Sequence, residues 1–387
     1  MMGLPLLGLR VCDVTTNIAG PYATMILGDL GAEVWKVERL GGGDDARGMG
    51  PFLDGVSCYF QAINRGKRSA AIDVRRPEGR AAVLAMAAQC RIFVENFRHG
   101  KADELGLGFE HVRAVRPDVV YVSLSAYGQC GPSADLPGYD AIVQARSGLM
   151  SVNGTPDGGL ARVGVSILDM GSGIWSALAV LAALLQGGGQ ARRIDTSLYE
   201  TGLSWLAYHV LYQQATGRDP APQGTRHAAF APYGDFPCAD GRLLLGISND
   251  RQFARLCEAL GRPGLAADER FATNPARLAN RATLDGIIGG LLEVRPAAEW
   301  EAALVAADVP VGRVQAVSQV LADPQTDALG ILAGGLVGLP LSLDGARPPV
   351  PGRAPVLGEH TRSALRMAGY DAAAIAGLIA GGVAQAG

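Results

Sequence analysis

The chain has 387 residues, 48% of them hydrophobic and 18% charged, with 53 Gly and 22 Pro. Such a composition describes a folded protein with a large core and excludes a disordered or fibrous chain. The net charge of -3 excludes a global field for nucleic acid, while leaving room for a local basic patch that holds one compact anion.

The N-terminal segment MMGLPLLGLRVCDV has one basic residue and no apolar run ending in a cleavage pattern, so it reads as the lead into a first strand. Short β-branched runs follow at 9–14, 32–38, 69–74, 91–96 and 119–125, with helical patterns at 21–31 and 77–90. This alternation predicts a mostly parallel sheet with helices on both faces, and ligands at the C-terminal ends of its strands. Residues 131–165 read as loops around one short helix at 139–150. A long apolar helix comes next. Its most membrane-like part, IWSALAVLAALL (174–185), is shorter than a bilayer span and is closed by QGGGQ. A strand at 191–198, a helix at 199–217 and a linker at 218–232 complete the first part.

A second unit begins with a hairpin at 236–250 that turns at Asp240 and Gly241, followed by helices at 251–261, 277–294 and 297–308. VPVGRVQAVSQVLADP (309–324) reads as a loop feeding a short helix, and 358–382 as two more helices. The six cysteines form no CxxC pair and read as reduced thiols, which places the chain in the cytoplasm.

Motifs are sparse. ERLGGGD and GLGF are glycine clusters without the spacing of a dinucleotide or phosphate loop. The five histidines are dispersed, giving no metal motif, and no GxSxG elbow is present. Arg65, Lys67 and Arg68 precede one strand and Arg98 follows another; they are either solvated surface charge or a seat for a phosphorylated ligand. Asp169 stands at the start of the long helix, before Gly171 and Gly173. It is either a helix cap or a nucleophilic carboxylate whose pKa the helix N-terminus would depress. Asp140 begins the short helix beside Tyr139, where a capping role is sufficient.

In order along nearly the whole chain, the segments NIAGPYATMILGDLGAEVWKVE (17–38), NRGKRSAAIDV (64–74), VENFRHG (94–100), SLSAYGQCGP (123–132), GYDAIVQARSGLMSVNG (138–154) and RVGVSILDMGSG (162–173) resemble the class III CoA-transferases, a family that also holds the α-methylacyl-CoA racemases. PYGDFPCADGRLLLGISNDRQF (232–253), VPVGRVQAVSQVLADPQ (309–325) and VLGEHT (356–361) extend the likeness. The resemblance implies an α/β chain with a Rossmann-like large domain (1–224), a smaller inserted α+β domain (225–315) and a C-terminal segment (316–387) that completes the large domain. It also implies an interlocked homodimer, with each chain threading the other.

By the same resemblance, Asp169 is the catalytic carboxylate, which forms an acyl-aspartyl anhydride and then an aspartyl-CoA thioester. CoA and acyl-CoA are substrates, a free carboxylic acid is the acceptor, and no prosthetic group, metal, nucleic acid or membrane is expected. Arg39, Lys67, Arg68 and Arg98 match CoA-binding segments; Asn17, Ala19 and Tyr139 match positions near the thioester, and Gly131 is a further candidate helper. Racemases of the family carry histidine where Tyr139 stands, and a tyrosine with a pKa of about 10 is a poor general base at neutral pH. Racemisation is therefore the alternative, with a non-catalytic CoA-binding protein behind it. Arg47 and a small-residue lining suit a short dicarboxylate such as succinate or a methyl or methylene relative. The glycine-rich lid of some relatives is replaced by LLLGISNDRQF (243–253).

Overall fold

The computed structural model describes residues 3–387, which form two compact units. The larger comprises residues up to Leu149, Arg162–Leu211 and Asp327–Gly387; the smaller comprises Met150–Ala161 and Tyr212–Thr326. The smaller unit is thus wider than the expected 225–315, and it includes a loop from the middle of the first part.

The larger unit is built on a seven-stranded sheet of β1 (Arg10–Asp13), β2 (Glu33–Glu38), β3 (Arg68–Ile72), β4 (Ile92–Glu95), β5 (Val120–Ser125), β6 (Arg192–Ser197) and β7 (Ala384–Gln385). The spatial order is β7-β3-β2-β1-β4-β5-β6. The first six strands run parallel, and β7 pairs antiparallel with β3 at the edge. The order 3-2-1-4-5-6 is that of a doubly wound Rossmann sheet, whose direction of winding reverses between β1 and β4. The C-terminal strand β7 forms one edge of this sheet.

Strand alternation sorts the core into two layers. Cys12, Trp35, Ile72, Phe93 and Tyr121 face one side with the helices Pro77–Ala88 and Thr361–Met367, while Val11, Val34, Val94 and Val122 face the other with Ala19–Asp29 and Ile167–Gln186.

The Ile167–Gln186 helix has 20 residues, longer than the apolar run suggested, and by length and composition it could cross a membrane. Here it lies on the sheet. Gly171, Ser172, Gly173, Ser176, Ala177 and Val180 are buried along it, and the Ser176 hydroxyl meets that of Thr196 at 2.7 Å. Small residues are needed because the neighbouring helix is so close: a Cβ on Gly173 would stand 2.8 Å from the Ala19 carbonyl oxygen, and one on Gly171 2.3 Å from the Trp205 ring.

The smaller unit carries an antiparallel sheet in the order 311–313, 241–246, 233–238, covered by the helices Asp250–Ala259, Arg281–Leu292 and Ala297–Ala306. Its core holds Phe253, Leu256, Phe271, Ile288 and Trp300. The 311–313 strand lies where the sequence pattern indicates a loop, since three residues carry too little alternation to register. Arg277 is fully buried there, donating to the Ala231 and Phe271 carbonyls and to Asp250 while its guanidinium covers the Phe253 ring.

Replacing mid-helix glycine by alanine usually stabilises by about 1 kcal/mol. At Gly173 the missing Cβ makes room for backbone, so Gly173→Ala is expected to destabilise the chain, overpacking costing about 1–3 kcal/mol. Thermal melts of the two proteins side by side measure the sign.

Candidate active site

Asp169 lies in the first turn of the Ile167–Gln186 helix, and the N-cap residue Ser166 makes no side-chain cap. The cap comes from another helix. Asp140 Oδ2 accepts the Leu168 and Asp169 N–H groups at 2.7 and 3.2 Å. Its other oxygen accepts the Gln144 amide at 2.5 Å, and Gln144 Oε1 in turn accepts the Val163 N–H at 2.9 Å. Asp140 is thus buried, and it fixes both the start of the Asp169 helix and the strand of chain that leads into it. The sequence reading gave Asp140 only a local capping role; nothing within 28 residues of it signals a partner across the fold.

The arrangement reverses the expected electrostatics of Asp169. Burial first, and the Asp140 carboxylate second, push its carboxyl up from the ordinary 3.8 to about 7. The favourable end of the helix is already occupied by Asp140, so the helix N-terminus does not depress the Asp169 pKa as the sequence suggested. Near neutrality Asp169 is therefore poised between acid and carboxylate. A partly buried carboxylate of raised basicity is well suited to attack a carbonyl carbon.

One turn on from Asp169, on the same helix face, Gly173 abuts Ala19. The segment before it, Thr15–Ile18, leaves β1 at the point where the sheet order reverses, and Asn17 there adopts a left-handed backbone with φ 64°. Asn96, which follows β4, clamps the segment: its Oδ1 accepts the Thr16 N–H and its Nδ2 donates to the Thr16 carbonyl, at 2.9 and 2.8 Å. Ala19 is thus brought against the Asp169 helix, one turn from Asp169, with Asn17 two residues before it. A cavity of about 1320 Å³ opens beside Ile18, Ser166 and Met170, walled by Tyr22, Phe60 and Leu339. Tyr139 immediately precedes Asp140 and is 72% exposed. Gly131 has φ 87° in the loop after β5.

The basic residues divide. Arg39 and Arg98 are exposed just beyond the C-terminal ends of β2 and β4, Arg39 with Asp45 as its partner. Arg68 stands at the start of β3, and its guanidinium turns back to Glu33 at the N-terminal end of β2, the same carboxylate that holds Arg10, with Trp35 beneath it. It does not join Arg39 and Arg98. Lys67 is enclosed: its ammonium donates to Asp13, Thr24, Asn64 and the Pro21 carbonyl, and 1% of its side chain is exposed. Nothing of it is left for a phosphate. Arg65 is likewise buried against Asp29. Arg47 spends its donors on both oxygens of Glu38 and on the Pro355 carbonyl, so it is not a free acceptor-carboxylate ligand.

Arg75, which matches none of the CoA-binding segments above, is also exposed beyond the C-terminal end of β3, with Asp73 as partner. Its signal was the position of RR directly after the strand SAAIDV. Among the described residues no group of three His, Cys, Asp or Glu side chains is arranged to hold a metal ion.

Residues 6–361 match the model of CoA-transferase family III. The chain belongs to this family. It is 37% identical to the succinyl-CoA:glutarate CoA-transferase of Mus musculus, with 98% of this chain and 90% of that protein covered. It is 38% identical to the acetyl-CoA:oxalate CoA-transferase of Acetobacter aceti, over 88% of this chain and 90% of that one. Among solved structures, a CAIB/BAIF family protein from Brucella suis superposes with a TM-score of 0.88 at 35% identity, covering 95% of this chain and all of that chain. Membership in family III makes CoA and its thioesters the substrates of this chain.

The raised Asp169 pKa has a stability consequence. The folded state holds this proton up to about pH 7 and the unfolded state only to about 3.8, so stability falls as pH rises through that window and levels off above it. Asp169→Asn cannot lose a proton there. Melting temperatures measured from pH 5 to 8 are expected to show the variant gaining on the wild type as pH rises, with a constant gap above about pH 7.

Proposed function

We propose that this chain transfers CoA from an acyl-CoA donor to a free carboxylic acid, a short dicarboxylate such as succinate or a methyl or methylene relative, with Asp169 as the covalent carrier. The observation that carries the reading is the Asp169 carboxyl, partly buried at about pKa 7 and held in place by Asp140. Relatives named for succinyl-CoA, glutarate and oxalate support the dicarboxylate class.

Asp169 attacks the donor thioester carbonyl; the C–S bond breaks and CoA leaves as thiolate, leaving an acyl-aspartyl anhydride. The thiolate then attacks the aspartyl carbonyl, releasing the donor acid and giving aspartyl-CoA. The acceptor carboxylate displaces CoA from that thioester, and the thiolate attacks the acceptor's carbonyl in the new anhydride, returning free Asp169. Each attack places charge on a carbonyl oxygen, so the backbone N–H groups of Ile18 and Ala19 are suited to stabilise it.

Arg39, Arg75 and Arg98, beyond the C-terminal ends of β2, β3 and β4 in the parallel sheet, are the side chains we assign to the phosphates of CoA. Asn17 and Tyr139 flank the thioester in this reading. Lys67 and Arg68 have structural roles instead, for the reasons of burial and direction given above.

Self-association belongs to the same proposal. Ile174, Trp175 and Leu178 are 51%, 44% and 51% exposed along the Asp169 helix, and Leu203 and Leu211 add 46% and 65%. An apolar face of this extent on the larger unit suits a covered interface, here the interlocked second copy. The six free thiols suit a reducing, cytoplasmic setting.

The test is one incubation in deuterated buffer containing succinyl-CoA, a branched 2-methylacyl-CoA and a panel of free acids, with the CoA esters read by mass spectrometry. New esters without α-deuterium are expected, and Asp169→Ala should abolish them while leaving CoA binding close to wild type. Deuterium in the 2-methylacyl ester without new esters would establish the racemase instead.

The pH profile gives a second check. Nucleophilic attack needs ionised Asp169, so kcat/KM for the donor is expected to rise with pH to a midpoint near 7. Asp140→Asn keeps a capping oxygen and removes the like charge; the midpoint should move down, yet stay above 3.8 because burial is the larger cause.

A further inference from the structure

Between β1, β2 and β3 lies a set of buried charges that the transfer reaction does not use. Lys36 and Asp44 form a pair at 2.8 Å with neither side chain exposed. Lys36 also donates to the Thr15 carbonyl at 2.8 Å, and Asp13 accepts the Thr15 N–H at 2.9 Å and the Thr24 hydroxyl at 2.7 Å. Burial works against the Lys36 charge, but the carboxylates of Asp44, Asp13 and Glu38 outweigh it and hold the ammonium above its usual pKa.

The other oxygen of Asp44 accepts two backbone N–H groups, those of Asn17 and Ala46, each at 2.9 Å. Asp44 is itself fixed, since its own N–H donates to Glu38, and Glu38 is held by Arg47 and Ser69. The Thr15–Ile18 segment is therefore gripped at Thr15 by Lys36, at Thr16 by Asn96 and at Asn17 by Asp44. Asn17 is the residue with φ 64°, a left-handed conformation that asparagine tolerates better than other side-chain-bearing residues and that the Asp44 contact fixes here. Ala19, two residues on, packs against Gly173 on the face of the Asp169 helix.

We propose that the buried Lys36–Asp44 pair is a positioning device for the reaction, with Asp44 holding Asn17 in its left-handed conformation against the first turns of the Asp169 helix. Asp44 and Lys36 touch no reacting atom and act through the Asn17–Ala19 backbone. The inference rests on the transferase reading for its catalytic consequence, and on the hydrogen bonds alone for its structural one.

A buried pair of this kind can be structural only, in which case an apolar replacement of similar volume restores everything. The two roles separate in a matched pair of double variants. Lys36→Met with Asp44→Asn removes both charges and keeps an acceptor oxygen for the Asn17 N–H. Lys36→Met with Asp44→Leu removes the charges and the acceptor. The Leu variant is expected to lose kcat by about 10- to 100-fold relative to the Asn variant, since small misplacements near a reacting centre cost that much. KM for the acyl-CoA donor should be the same in both. Equal kcat values in the two variants would overturn the proposal.

A second comparison does not depend on those variants folding. Asn17→Gly and Asn17→Ala lose the same side chain, but only alanine resists a positive φ. The glycine variant should keep the higher kcat, and equal values would again count against the device. If the wild type moves CoA to no acid offered, the transferase reading fails by itself. The positioning is then read by amide hydrogen exchange of the peptide covering residues 14–20. Asp44→Leu in the Lys36→Met background must deprotect it and Asp44→Asn must not; equal protection would refute the device.

Discussion

The hydrogen bonds from the first turn of the Ile167–Gln186 helix to the Asp140 carboxylate are what the site depends on. A helix start leaves N–H groups unpaired, and a carboxylate is their strongest neutral-pH partner. In this chain the partner is brought from another helix. Two consequences follow from one contact. The helix is fixed relative to the short helix that Asp140 begins, and the dipole that would have stabilised an Asp169 anion is already spent. Burial and a like charge then set the Asp169 pKa near 7, where a carboxyl group serves as a nucleophile near neutral pH without being permanently ionised.

The sheet explains why this helix meets the Asn17 segment. The strand order reverses between β1 and β4, so the chain leaving β1 and the chain leaving β4 part in opposite directions and open a crevice at their ends. Asn96 bridges the two with its paired hydrogen bonds to Thr16. The Ala19–Asp29 helix and the Asp169 helix pack on the same face, close enough that glycine is required at residue 173. The contact between these two helices brings Ala19 against Gly173, one turn from Asp169, and the cavity opens beside Ile18, Ser166 and Met170. Charge is used in two distinct ways around that crevice. Arg39, Arg75 and Arg98 remain exposed at the strand ends, whereas Lys36, Lys67 and Arg65 are buried on carboxylates and fix the backbone between them.

Much of the fold was legible in the sequence, because strand and helix periodicity is a local property. The runs at 9–14, 32–38, 91–96 and 119–125 each contain a strand of the sheet, and the run at 69–74 overlaps the one at Arg68–Ile72. Short pieces were not legible: the 311–313 strand and β7 have three and two residues, and only their partners define them. Asp169 and its glycines stood out by position, as did the basic residues by type. Their environments did not. NRGKRS reads as a uniform basic loop, yet Lys67 is buried on Asp13, Thr24 and Asn64 while Arg68, the first residue of β3, is exposed and paired with Glu33, because packing against distant segments sets each side chain's direction.

The sequence by itself determined the alternation of strands and helices, the likeness to a family and the identity of the carboxylate at the mouth of the long helix. These are carried by residue type and by spacing along the chain. The tertiary structure alone decided that Asp140 caps that helix, that Asp169 is held near pKa 7, which cations stay exposed, and that Asp44 grips Asn17. The cap and the grip on Asn17 join residues 27 to 29 positions apart. Burial and direction are set only when distant segments pack together, and no local pattern encodes them.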